Sequence, residues 1–119
     1  MNTETIAKKL VEYCRKGDFE GAQRDLYADD AVSIEARENG PFKKETKGLN
    51  AIFEKGNIWF SMLEKMDSCK VSEPLVANDN FAISLSMDVT MKDGQHRVFN
   101  EIALYKVENG KIISEQFFV

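Results

Sequence analysis

The stretch "FAISLSMDVTM", residues 81–91, alternates apolar and small or polar side chains without a break. Phe81, Ile83, Leu85, Met87, Val89 and Met91 project one way, while Ala82, Ser84, Ser86, Asp88 and Thr90 project the other. A period of two marks a β-strand with one face buried and one open to water. Such a strand needs neighbours to pair with and a layer to cover its apolar face.

The neighbours are written on either side. "KDG" at 92–94 and "ENG" at 108–110 are hairpin turns, predicting strands His96–Val107 and Lys111–Val119. Upstream, "NDN" at 78–80 turns the chain out of a strand running from about Ser68 to Ala77 and interrupted by Pro74. The second half is thus a meander of three long strands, and a fourth with this one.

The covering layer lies in the first half, where the period changes to 3.6. Thr3 is placed to cap a helix over Glu4–Lys16, with Ile6, Leu10 and Cys14 on one face and Gly17 as its left-handed stop. Asp18 caps a second, short helix carrying Phe19, Ala22 and Leu26, and the pair Asp29-Asp30 reads as the turn that ends it. Ala31–Arg37 is a first strand, followed by a loop through Asn39, Gly40 and Pro41 and the solvated cluster "KKETK" at 43–47. "GLNAIFEKGNIWFSMLEKM", 48–66, predicts a third helix with Ile52, Gly56, Trp59, Phe60 and Leu63 on one side. Gly56 inside that helix costs about 1 kcal/mol relative to alanine, which suggests close approach of another backbone or a ligand.

Three helices in the N-terminal half and a mostly antiparallel sheet after them make an α+β domain spanning 1–119. A long, strongly curved sheet wrapped over helices leaves a gap between its concave face and the first and third helices, the natural place for a pocket.

Composition narrows the function classes. A net charge of −4 and a pI near 5.1, with no basic stripe, argue against a nucleic-acid partner. No run approaches the roughly 20 apolar residues of a membrane span, and the N-terminus has no unbroken apolar stretch, so no membrane association and a cytoplasmic location are expected. Cys14 and Cys69 are expected as buried free thiols.

Three segments, "KGDFEGAQRDLYADDAVSIEA" at 16–36, "KGLNAIFEK" at 47–55 and "YKVENGKIISEQFFV" at 105–119, resemble the NTF2-like superfamily, more narrowly its SnoaL-like and ketosteroid-isomerase-like branch. The resemblance implies a cone-shaped, cystatin-like sheet, a largely apolar cavity, homodimerisation through the outer sheet face, and no cofactor or metal. It also implies that Glu35 stands where the isomerase pattern has an aspartate general base. The proline that follows in that pattern is here Ala36. The oxyanion tyrosine of the pattern falls at Leu10 and its protonated aspartate near Ala103, neither of which can donate a hydrogen bond. Loss of one such donor typically costs about 2.7 to 4 kcal/mol of transition-state stabilisation, which argues against steroid isomerisation. Tyr13 and Tyr105 are the nearest substitutes.

Glu35 is therefore either a solvated strand end or a base in a dehydrated cavity. Glu101 shares a strand face with Phe99, Ala103 and Tyr105, as a second acid or as one half of an ion pair with Arg37 or Arg97. Trp59, Phe60, Met87, Phe117 and Val119, with Tyr13 and Tyr105, are candidates for the wall of a ligand cavity. His96 begins a strand after a turn, with no partner at triad or metal spacing. Two functions stay open. One is an isomerase-like or cyclase-like proton transfer on an apolar or partly aromatic small molecule, with Glu35 as base. The other is a non-catalytic binding or dimeric interaction module with a filled pocket. Ser84, Ser86, Asp88 and Thr90, beside Asn100, Ile102 and Leu104, form the outer face through which a dimer is expected.

Overall fold

A computed structural model describes residues 1–119. Two helices, α1 (Thr3–Arg15) and α2 (Phe19–Leu26), form a hairpin and lead directly into strand β1 (Tyr27–Ile34). A three-residue strand β2 (Glu45–Lys47) precedes α3 (Leu49–Ser61), and the remainder is β3 (Leu63–Val71), β4 (Leu75–Ala77), β5 (Asn80–Met91), β6 (His96–Glu108) and β7 (Lys111–Phe118). The sheet order is β2-β1-β7-β6-β5-β3, with β4 also paired to β5. Every pairing is antiparallel except β1 with β7. The expected α+β architecture is the one found.

The alternation of residues 81–91 does what it predicts. Phe81, Ile83, Leu85, Met87 and Val89 are buried, and the first three join Ile6, Leu10 and Cys14 of α1 in the main core. Gly94 at φ +88° closes the β5–β6 hairpin, and Asn109 and Gly110, at φ +51° and +75°, close β6–β7 in the left-handed conformation that tight hairpins require.

Several boundaries differ from the sequence expectation, and β1 ends at Ile34 instead of Arg37. Asn2, rather than Thr3, caps α1, its side-chain oxygen accepting the Thr5 N–H at 2.8 Å. Asp29 and Asp30 lie inside β1 instead of in a turn, where the register against β7 shifts between Tyr27 and Val32. That irregularity admits two exposed acidic residues without turning a buried position outward. The expected solvated cluster contains β2, whose Glu45–Lys47 pair with Val32–Ile34. Finally, α3 ends at Ser61, and "LEKM" enters β3 with Leu63 opposite Met91. There the long β5 template overrides a local helical pattern.

No helix is long and apolar enough to cross a membrane. Cys14 and Cys69 are both free, the first buried and the second half-buried.

Candidate functional site

A cavity of about 460 Å³ lies between the helices and the inner sheet face, bounded by residues of α1, α2 and α3 and of β5, β6 and β7. Helical spacing on α3 aims Ile52, Lys55, Gly56 and Trp59 into it, while period two on β6 supplies Phe99, Glu101 and Tyr105. Trp59 meets Phe99 edge-on, with ring centroids 5.1 Å apart, and Phe60 stacks obliquely on Phe19 at 5.9 Å.

Polar groups converge on one part of this apolar wall. Ser33 of β1 is paired in register with Glu115 of β7, and Tyr105 of β6 faces Glu115 from the other side. Glu115 is 3% exposed. Its carboxylate accepts hydrogen bonds from the Tyr27 hydroxyl and, at 2.6 Å, from the Ser33 hydroxyl. The Lys55 ammonium donates to Ser33 Oγ at 2.5 Å and stands 3.4 Å from Glu35 Oε2. It also lies 5.7 Å from the centre of the Phe117 ring. Glu35, just past the end of β1, has its backbone N–H held by the Lys44 carbonyl at 2.7 Å, so its place in the wall is fixed by main chain.

Burial sets the protonation of the inner groups. The Glu101 carboxyl is pushed up to about 7, first by desolvation and then by the negative charges of Glu35 and Glu115, with Lys55 opposing. Glu115 is also raised by burial, opposed by Lys55 and by the hydrogen bonds from Ser33 and Tyr27. Burial raises Tyr27 and Tyr105 well above the usual phenol range. Both remain neutral phenols at physiological pH.

Of the residues expected at a site, Glu35, Glu101, Trp59, Phe60, Met87, Tyr105, Phe117 and Val119 all line the cavity, Val119 with 79% of its surface exposed. Tyr13 does not. Its hydroxyl turns outward to hydrogen-bond Asp25 across the α1–α2 hairpin. Neither arginine expected to pair with Glu101 does so: Arg97 bonds the Gln95 side chain at 3.1 Å, and Arg37 is an exposed part of the cavity wall. Leu10 is in the wall and Ala103 is fully buried, so the two positions that would hold oxyanion donors are apolar in place as well as in sequence. A side chain at Gly56 would meet nothing within 4 Å, so no backbone approaches it. The glycine widens the cavity instead.

Lys55, Ser33, Tyr27 and Glu115 were not among the candidates. Glu115 could have been found by counting back two residues from Phe117, and Lys55 by counting three from Ile52. Both were masked by the ordinary expectation that a charged residue faces water. His96, expected to lack partners, has its Nε2 2.5 Å from Asp88 and its Nδ1 3.7 Å from Asp67, across the exposed sheet face opposite the cavity.

A family model described as a SnoaL-like domain matches residues 1–119. The chain belongs to the SnoaL-like family. This SnoaL-like domain superposes on a Mesorhizobium loti protein described both as a SnoaL-like polyketide cyclase and as a carbohydrate phosphatase, with a TM-score of 0.89, at 34% identity and with 100% of both chains covered. A Xanthomonas campestris protein with a cystatin-like fold gives 0.83 at 19% identity, covering 99% of this chain and 90% of that one. A protein from Jannaschia sp. CCS1, also assigned as a SnoaL-like polyketide cyclase, gives 0.77 at 14% identity, covering 98% and 85%. A search of curated proteins finds no match. The two more distant structures establish the fold of this SnoaL-like domain and leave its chemistry to the cavity.

Proposed function

We propose that this SnoaL-like domain binds an apolar, partly aromatic small molecule in its cavity and catalyses an isomerase-like or cyclase-like proton transfer, with Glu35 as general base. The observation that carries the reading is the placement of Glu35 and Glu101 together in an aromatic wall. One carboxylate is ion-paired, and the other is poised near neutrality. A carboxyl held near neutrality by burial beside a second carboxylate is an arrangement that can divide acid and base roles. Glu35 removes a proton from carbon, and Glu101, partly protonated at neutral pH, donates to the oxygen where charge develops. Tyr105, Trp59, Phe60, Met87, Phe117 and Val119 supply the apolar surface that excludes water and orients the ring.

The alternative, a binding module with a filled pocket, is less well supported. Trp59 and Met87 line the cavity without occupying its volume of about 460 Å³. The deciding experiment is deuterium incorporation into an aryl-substituted ketone such as phenylacetone, followed by NMR in heavy water. Wild-type protein should exchange the α-protons saturably, and Glu35→Gln should not. Stabilisation of the protein by aryl ketones without any exchange would favour the binding module.

Two further parts of the reading concern assembly and location. On the outer sheet face Val98, Ile102 and Phe118 are 52%, 53% and 46% exposed, an apolar patch that supports a homodimer closed through this face. Unpaired Cys14 and Cys69 support a reducing, cytoplasmic setting.

A further inference from the structure

We propose that Lys55 is the catalytic electrophile of this cavity, holding the ligand oxygen, and that the ligand is an enolisable aryl ketone or 1,3-dicarbonyl compound bound as its enolate. The reaction half of this proposal rests on the proton-transfer reading above; the binding half does not.

A lysine ammonium has three N–H donors. At Lys55 one goes to Ser33 Oγ at 2.5 Å and one faces Glu35 Oε2 at 3.4 Å. The third donates to no further oxygen of the protein, and the Phe117 ring face lies 5.7 Å from the nitrogen. The side chain is 16% exposed and lines the cavity. A ligand oxygen entering the cavity would give that N–H an acceptor in place of water.

The ammonium is held rather than merely present. The Ser33 hydroxyl spends its proton on Glu115, which leaves its oxygen free to accept from Lys55. Tyr27 fixes the other side of Glu115, so a continuous chain from β1 and β7 sets the position of Nζ. Ser33 and Glu115 are thus positioning residues for Lys55.

The charges facing Lys55 come from Glu35 at the end of β1, Glu115 on β7 and Glu101 on β6, with exposed Arg37 farther along the wall. Burial and the neighbouring negative charges hold the Glu101 carboxyl near neutrality, so the ammonium does not face three full negative charges. The two family positions for oxyanion donors hold Leu10 and Ala103, which leaves Lys55 as the cationic donor standing beside the proposed base.

The chemistry balances without a co-reactant. The α C–H bond breaks, its proton passes to the Glu35 carboxylate, and the electron pair becomes the C=C bond of the enolate. The former carbonyl oxygen takes the negative charge, held by the Lys55 ammonium and by a hydrogen bond from protonated Glu101. Return of the proton to the same or a conjugated carbon regenerates Glu35.

Benzoylacetone is a suitable probe, because its enolate absorbs at longer wavelength than its enol and reports ionisation without turnover. With wild-type protein at neutral pH, the enolate fraction of bound probe should exceed that of free probe by roughly tenfold, as one neighbouring positive charge in a dehydrated site implies. Lys55→Gln should abolish the shift and Lys55→Arg should retain part of it. Ser33→Ala should weaken it by loosening Nζ, and a shift unchanged in Ser33→Ala removes the positioning role. Glu35→Gln should keep or strengthen the shift, since it removes an opposing negative charge. An enolate fraction in wild type no higher than in water, equal shifts in wild type and Lys55→Gln, or no saturable binding of the probe at millimolar concentration would each overturn the proposal. If Glu35→Gln loses ketone exchange while Lys55→Gln keeps the enolate shift, the base stands and the Lys55 assignment falls. If both wild type and Glu35→Gln fail to exchange ketone while the shift depends on Lys55, the assignment stands and the base falls.

Discussion

Ser33 and Glu115 are paired across the parallel β1–β7 junction, and the serine hydroxyl reaches the buried carboxylate at 2.6 Å. This contact ties the end of the strand that carries Glu35 to the strand that carries Phe117. Through Lys55 it also ties both to α3. The polar side of the cavity is therefore one connected unit, and substitutions within it should not behave independently.

The Glu101 carboxyl gives that unit a pH dependence of definite sign. Its folded-state value of about 7 lies above the ordinary 4.5, so the folded protein binds more protons than the unfolded one between those values. Stability should fall as pH rises through that window, by a few kcal/mol at most at about 1.4 kcal/mol per unit. Glu101→Gln should flatten the fall and be more stable than wild type by about 1–3 kcal/mol at pH 8, while differing little near pH 4.5. Melting temperature measured against pH for the two proteins checks this, and Glu115, raised in the same direction, should leave a residual slope in the variant.

Tyr27→Phe should destabilise by about 1–3 kcal/mol, because it leaves a buried carboxyl oxygen of Glu115 without its donor. Chemical denaturation at neutral pH measures the loss. Lowering the pH should narrow the gap between variant and wild type, since a protonated Glu115 has less need of a donor.

Gly56→Ala should stabilise by about 0.5–1 kcal/mol, through helix propensity alone, because the added methyl meets nothing within 4 Å. The same methyl projects into the cavity. Weaker binding of bulky aryl ketones alongside a raised melting temperature is the expected pairing, read by calorimetry on the purified variant.

Ile102→Lys should convert a dimer into a monomer at micromolar concentration without lowering the intrinsic stability of the fold, since the side chain is 53% exposed on the outer face. Light scattering distinguishes the two masses. A wild-type monomer would remove the assembly proposal.

The fold was legible where residues obey one period over a long stretch. Phe81–Met91 alternates for eleven positions, and the turns after it use the residues their backbone angles demand, so β5, β6 and β7 followed almost residue by residue. Legibility failed at β2 and at the start of β3. Three residues of "ETK" carry no period, and "LEKM" prefers a helix until β5 pairs with it. The site divided in the same way. Its aromatic wall followed from the apolar faces of α3, β5 and β6, and Glu35 from the resemblance of its segment to the isomerase pattern. Lys55 and Glu115 were hidden, because each is a charged residue on a face that periodicity marks as apolar, and what makes that tolerable is Ser33 and Tyr27, distant in sequence. Pairing of this kind depends on strand register, which hydropathy alone does not encode.

Glu35 as the base is the centre of this account, and the α-proton exchange rate of phenylacetone in wild type and Glu35→Gln tests it most directly. A positioned general base contributes on the order of 10²–10⁴-fold, so Glu35→Gln should lose about that factor in exchange rate while keeping its melting temperature and its affinity for the ketone. Exchange at equal rates in the two proteins, with the ketone bound equally by both, would contradict it.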